Sequence, residues 1–236
     1  MTGATRNPLF VALDTPAVPR ALELARAVAP YVGGLKVGLE FLTATGPDGL
    51  RRIVELGLPV FADVKFHDIP NTVAGASRAL AAQGAAFFNV HASGGAAMMR
   101  AARDAIGNGE PRPKILGVTI LTSLSGDDLA ALGFGGTARE RVVRLAALAQ
   151  ASGLDGVVCS AEEIEWVRER CGPDFLIVTP GLRPKGAALA DQRRVRTPAE
   201  ALRAGADILV IGRPVTAAAD PAEVAHAIAA ECQPQA

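Results

Sequence analysis

The chain has 236 residues, 50% of them hydrophobic but only 4% aromatic, with 24 Lys+Arg balanced by 24 Asp+Glu. That length suits one catalytic-sized domain over residues 1–236, and a core of Ala, Val, Leu and Ile suits helices packed closely on a parallel sheet. A formal net charge of +0 argues against a nucleic-acid partner or a broad anionic-membrane surface, and three cysteines without CxxC spacing argue against a disulfide framework or structural zinc.

No basic segment followed by an apolar core opens the chain, and no apolar run reaches membrane-spanning length, so a cytoplasmic protein with no membrane partner is expected. Short apolar runs then recur with Ala-rich amphipathic segments between them, the rhythm of repeated strand-helix units. Eight strands are predicted, at residues 9–14, 34–38, 60–66, 87–92, 115–120, 156–160, 175–179 and 208–212. The segments between them are long enough for right-handed crossovers. That count fits an α/β fold, a single (β/α)8 TIM barrel, with an open doubly wound sheet as the alternative. Thr15-Pro16 precedes an apolar-periodic stretch to Ala29, and Thr197-Pro198-Ala199-Glu200 reads as a cap, a first-turn proline and an early acid. Gly84, Gly153 and Gly205 stand where a helix gives way to a strand, the place for a left-handed terminus. Residues 181–196 break the rhythm with a long polar connection, the length of a lid or binding loop.

The third predicted strand carries charge in apolar company. Residues 61–72 read Phe-Ala-Asp-Val-Lys-Phe-His-Asp-Ile-Pro-Asn-Thr. Strand alternation puts Phe61, Asp63 and Lys65 on one face and Ala62, Val64 and Phe66 on the other, so an acid and a base stand side by side. Asp68 follows where Pro70 ends the strand and suits the first turn of a helix. A structural ion pair at a strand end is the plainer alternative.

In barrels of this type chemistry sits at the carboxyl ends of the strands. Asp14, Lys36, Asp63, Lys65, His91, Thr122, Ser123 and Arg213 all fall in or just beyond predicted strands. Charges inside three separate apolar strands are costly to bury unpaired, so one shared pocket is expected. Gly212-Arg213 follows the eighth strand, where such barrels bind phosphate, with glycine permitting close approach and arginine able to fork onto two oxygens. Arg183 and Gln192, in the long loop, could reach the same anion; a surface arginine is the plainer reading of Arg213. His67 suits a structural or loop role, His226 a surface one, and Cys159 packing. No HxH or HExxH pair supplies a metal site.

The chain closely resembles the orotidine 5′-monophosphate decarboxylase family. The resemblance runs in order through Val11-Ala12-Leu13-Asp14, Leu35-Lys36-Val37-Gly38, Asp63-Val64-Lys65-Phe66-His67-Asp68-Ile69-Pro70-Asn71-Thr72 and Asn89-Val90-His91-Ala92. It continues through Leu121-Thr122-Ser123, Thr179-Pro180-Gly181-Leu182-Arg183-Pro184 and Ile211-Gly212-Arg213-Pro214. The Asp-x-Lys-x-x-Asp core is shared with related sugar-phosphate enzymes; its extension to Thr72 is far more specific. The resemblance implies a charged catalytic array of Lys36, Asp63, Lys65 and Asp68. It implies a homodimer in which Asp68 and Thr72 reach the partner's active site. It assigns Asp14 and Lys36 to ribose hydroxyls and Thr122 and Ser123 to the pyrimidine. Arg183, Gln192, Gly212 and Arg213 go to the 5′-phosphate, with Pro180 also among the substrate-binding residues. The implied reaction is cofactor-independent loss of carbon dioxide from C6 of orotidine 5′-monophosphate, giving uridine 5′-monophosphate, with Lys65 protonating C6 and Asp63 near the departing carboxylate. Two competing readings stay open: a metal-dependent sugar-phosphate decarboxylase or aldolase built on the same core, and a nucleotide-binding barrel without turnover.

Overall fold

The computed structural model describes residues 7–133, 135–183 and 196–232. In chain order the elements are β1 (Leu9–Ala12), α1 (Val18–Val28), β2 (Gly34–Val37), α2 (Leu39–Val54), β3 (Val60–Phe66), α3 (Pro70–Ala81), β4 (Phe87–His91), α4 (Gly95–Ala105) and β5 (Lys114–Val118). They continue with α5 (Gly126–Ala131), α6 (Ala138–Ala151), β6 (Gly156–Val158), α7 (Ile164–Cys171), β7 (Leu176–Pro180), α8 (Pro198–Ala204), β8 (Ile208–Ile211), α9 (Arg213–Thr216) and α10 (Pro221–Glu231). The strands are parallel and close into a barrel in sequence order, β8 pairing back onto β1. The (β/α)8 expectation holds, and the open sheet is set aside.

The strands form because each is a short apolar run that can be buried on both faces, as a parallel barrel requires. β1, β2 and β8 are buried throughout. Alternation then divides the core in two. Phe10, Ala12, Phe61, Phe87, Leu116, Val178, Ile208 and Val210 fill the barrel, while Leu9, Val11, Leu35, Val37, Ala62 and Phe88 pack outward beneath the helices. Inside, Phe87 meets Phe10 edge-on at 5.7 Å between ring centroids and Phe61 at 6.5 Å. Gly34 makes room for this floor, since a Cβ there would stand 2.4 Å from Phe10 Cζ.

All eight predicted strands are present, several ending a residue or two early. Leu13, Thr119 and Cys159 still donate to the neighbouring strand from beyond those ends, so the chain leaves the ladder gradually. The box predicted at Thr197 caps α8, with Thr197 accepting from the Glu200 N–H and Glu200 reaching back. Gly84, Gly153 and Gly205 have φ of 82°, 81° and 106°. Thr15, by contrast, does not cap α1. The helix starts at Val18 behind an extended Ala17, with Pro19 in the first turn; a residue before proline, as Thr15 is, is disfavoured in the helical region. α2 is two helical pieces that meet at Gly46, φ 62°, followed by Pro47.

Polar staples secure the amino ends of the strands. Asp155, just before β6, accepts both Arg112 guanidinium nitrogens at 2.8 and 2.7 Å and the Ile115 N–H at 2.8 Å. Asp207, just before β8, accepts Arg168 Nη2 and the Ile177 N–H, each at 2.7 Å. Chemistry is thereby left to the opposite rim. Among the described residues no helix is long and apolar enough to cross a membrane.

Candidate active site

At the carboxyl end of the barrel a cavity of about 190 Å³ opens over Phe61, with Lys36, Asp63, Lys65, Thr122 and Pro180 among its lining and Val118, Val158 and Val210 forming apolar wall. Alternation explains part of the lining: Lys36 on β2, in register with Phe61, and Asp63 on β3, two residues beyond it, occupy inward positions, while Lys65 reaches the same cavity from an irregular part of β3.

Four charges of alternating sign form a row across this rim. Lys36 Nζ donates to Asp14 Oδ1 at 3.2 Å and pairs with Asp63 Oδ2 at 3.3 Å. Lys65 Nζ donates to Asp63 Oδ1 at 2.5 Å. The Asp63 side chain is only 15% exposed. Burial pushes its carboxyl up, but the ammonium groups of Lys36 and Lys65 and hydrogen bonds from Lys65 and Asn89 together hold it below its ordinary value. Gly38 lies close beside this row: a Cβ there would come 3.1 Å from Lys36 Nζ and 3.2 Å from Asp14 Oδ1, so a side chain would crowd the pair by a few tenths of an ångström. The arrangement is a fixed field, with ammonium hydrogens presented to a half-apolar space in which charge interacts strongly.

The strand carrying Asp63 and Lys65 is not regular. Its pairing with β4 runs through Ala62↔Phe88 and resumes only at Phe66↔Val90, so β3 bulges by two residues. Lys65 lies in that bulge at φ +50°, the single non-glycine residue with positive φ among the described residues. A left-handed conformation costs a residue with a Cβ about 1–2 kcal/mol, and strain of this kind concentrates at functional sites. Asn89 of β4 fills the gap, donating from Nδ2 to Asp63 Oδ1 and accepting the Lys65 N–H on Oδ1, each at 2.7 Å. Sequence reasoning passed over Asn89. The signal available was a polar residue at an inward position of an apolar strand, between Phe87 and His91.

The remaining predicted residues are spread around the rim. Gly212 lies over the Asp14 end of the row, where its Cβ would stand 3.6 Å from Asp14 Oδ2. Arg183 is buried, with Nη1 donating to the Leu182 carbonyl, and Arg213 is exposed at the start of α9. Ser123 is exposed and does not line the cavity. Gln192 and most of the long loop after β7 lie outside the described residues. Asp68 and Thr72 do not join the row; both are exposed, and Asp68 Oδ1 accepts the Ile69 N–H. The His67 ring packs against that of His91, tilted by 36° with centroids 5.3 Å apart. Cys159 is fully buried, and burial pushes its thiol well above the ordinary range. Among the described residues no three His, Cys, Asp or Glu side chains converge as metal donors.

Comparison with known proteins gives this geometry a context. Residues 7–228 match the family model described as Orotidine 5′-phosphate decarboxylase / HUMPS family. A Moorella thermoacetica protein named orotidine 5′-phosphate decarboxylase is 53% identical over 97% of this chain and 93% of its own length. One of the same name from Anaeromyxobacter dehalogenans is 55% identical over 94% of this chain and 96% of its own. The crystal structure of orotidine 5′-phosphate decarboxylase from Lactobacillus acidophilus, 38% identical, superposes with a TM-score of 0.84 over 96% of this chain and 99% of that one.

Proposed function

This chain belongs to the orotidine 5′-phosphate decarboxylase / HUMPS family, and from that premise we infer that it converts orotidine 5′-monophosphate to uridine 5′-monophosphate and carbon dioxide in pyrimidine nucleotide biosynthesis. The family name spans more than one chemistry. Relatives above 50% identity over nearly the whole chain carry the decarboxylase name, which favours that branch over a metal-dependent sugar-phosphate enzyme.

The observation that carries the mechanism is the row Asp14–Lys36–Asp63–Lys65 along the cavity. The substrate carboxylate at C6 sits beside Asp63, where two negative charges disfavour the bound ground state. The C6–carboxyl bond breaks, carbon dioxide leaves, and the bonding pair stays on C6. Lys65 faces that carbanion-like centre with an ammonium, stabilises it and transfers an Nζ proton to C6; solvent then returns a proton to the amine. Stabilisation comes mainly from charges already in place, because a preorganised field needs no reorganisation as the carbanion forms. Enzymes lower barriers by about 8–23 kcal/mol overall, so binding energy from the remote phosphate must add to what one lysine supplies.

The other roles follow the same reading. Asp14 and Lys36 hold the ribose hydroxyls, Thr122, Ser123 and Pro180 the base, and Arg183, Gln192, Gly212 and Arg213 the 5′-phosphate. Asp68 and Thr72, exposed in this chain, reach the active site of a second copy, making the working unit a homodimer. Residues 1–236 act as one catalytic domain in the cytoplasm, without a cofactor.

The test is carbon dioxide release from orotidylate by the purified protein, with and without a chelator, beside Lys65→Ala. The expected result is chelator-insensitive turnover that Lys65→Ala abolishes while keeping its fold. Loss of activity with chelator would move the protein to the metal-dependent branch, and wild-type turnover by Lys65→Ala would remove the proton-donor role.

A further inference from the structure

Asn89 is fully buried on β4, inside the barrel and level with the charged row. Both ends of its amide are committed, one to the Asp63 carboxylate and one to the Lys65 backbone N–H, each at 2.7 Å. A carboxylate only accepts and a peptide N–H only donates, so a single orientation of the amide satisfies both. This contact falls where the β3–β4 ladder fails, between Ala62↔Phe88 and Phe66↔Val90. In a regular ladder the Lys65 N–H would find a backbone carbonyl. Here the side-chain carbonyl of Asn89 takes that place, and Lys65 turns through φ +50°.

We propose that Asn89 is a positioning residue for decarboxylation, holding the Lys65 backbone in its left-handed turn so that Nζ points into the cavity, and orienting Asp63 so that one oxygen faces each lysine. Three geometric facts meet in this one side chain. The Asp63 oxygen that receives Asn89 is Oδ1, the same oxygen that receives Lys65 Nζ, while Oδ2 is the one paired with Lys36. The donor amide thus stops the carboxylate from rotating between its two ammonium partners. Its acceptor end ties the same residue to the peptide that launches the Lys65 side chain. Neither job can be done by an apolar residue of the same shape, and aspartate can do only the second. The inference rests on the reading of Lys65 as proton donor.

Asn89→Leu and Asn89→Asp in the full-length protein separate the jobs. Asn89→Leu removes both bonds and is expected to lower kcat about 100-fold, the scale set by displacing a reacting group by about 1 Å. Uridine 5′-monophosphate affinity should stay within about threefold, because ground-state binding is untouched. Asn89→Asp keeps an acceptor for the Lys65 N–H but sets a second carboxylate against Asp63. Like charge raises a carboxyl pKa, so the acid limb of its kcat–pH profile should move to higher pH. Wild-type kcat in either folded variant, or equal losses in kcat and product affinity, would overturn the proposal. So would failure of both variants to fold, which would assign Asn89 to architecture. Lys65→Ala in the same assays keeps the two readings apart. An inactive Lys65→Ala beside fully active Asn89 variants would overturn the positioning role alone, whereas an active Lys65→Ala would overturn both.

Discussion

His91 ends β4 with its ring against His67 and within the field of Lys65 and Asp63. Burial pushes its imidazole below the ordinary value, the charges of His67 and Lys65 push the same way, and Asp63 opposes them. A group whose folded pKa is depressed adds stability above its unfolded value and loses it as pH falls through the folded one. For His91 that window opens below 6.5, and for Asp63, also depressed, below 3.8. Acid destabilisation is therefore expected in two stages. Urea titrations at a series of pH values should give a plateau above 6.5 and a decline in mild acid that His91→Gln removes. A wild-type profile flat through mild acid would show that His91 charges without cost in the fold.

At the scale of elements, one guanidinium joins parts of the chain that meet only at the amino-terminal rim. Arg168 of α7 donates to the carbonyls of Gly172, Pro173 and Phe175 ahead of β7, to the Gly205 carbonyl at the end of α8, and to Asp207 before β8. Asp207 in turn accepts the Ile177 N–H of β7. Removing the arginine leaves several partly buried carbonyls and a carboxylate without that donor. Arg168→Ala should cost about 1.5–3 kcal/mol, the range for charged hydrogen bonds. In a domain of this size that lowers the melting temperature by about 3–12 °C. Arg168→Lys should recover little, since an ammonium cannot reproduce the fork. Orotidylate turnover at 25 °C should be unchanged in both, because the rim lies opposite the cavity. A melting temperature within about 2 °C of wild type would mean that water replaces the arginine at little cost.

At the scale of the whole molecule, the barrel brings together in one chain the row from Asp14 to Lys65 and leaves Asp68 and Thr72 facing outward. Ile69 beside them is 67% exposed and Leu39 56% exposed, apolar surface next to the rim. If a second copy supplies Asp68, then Lys65→Ala and Asp68→Ala chains, each inactive alone, should regain activity when unfolded together and refolded. Each mixed dimer then holds one site with both wild-type residues. No recovery in a sample whose sedimentation shows mixed dimers would exclude the shared site. The sequence by itself determined the repeated strand-helix units, because parallel strands buried on both faces leave uninterrupted apolar runs, and capping boxes and helix-ending glycines act within a few residues of where they stand; that the sheet closes, β8 onto β1, rather than staying open was decided by the tertiary structure. Alternation, a local property of a strand, also led to the expectation that Asp63 and Lys65 share one face, and both do line the cavity. Only the tertiary structure decided the bulge at Lys65, the two-ended grip of Asn89 from 24 residues away, and the Arg168–Asp207 staple across 39 residues. The reason is physical. Propensity and periodicity are written between near neighbours along the chain, whereas a buried polar group must be satisfied by whatever the closed sheet brings beside it.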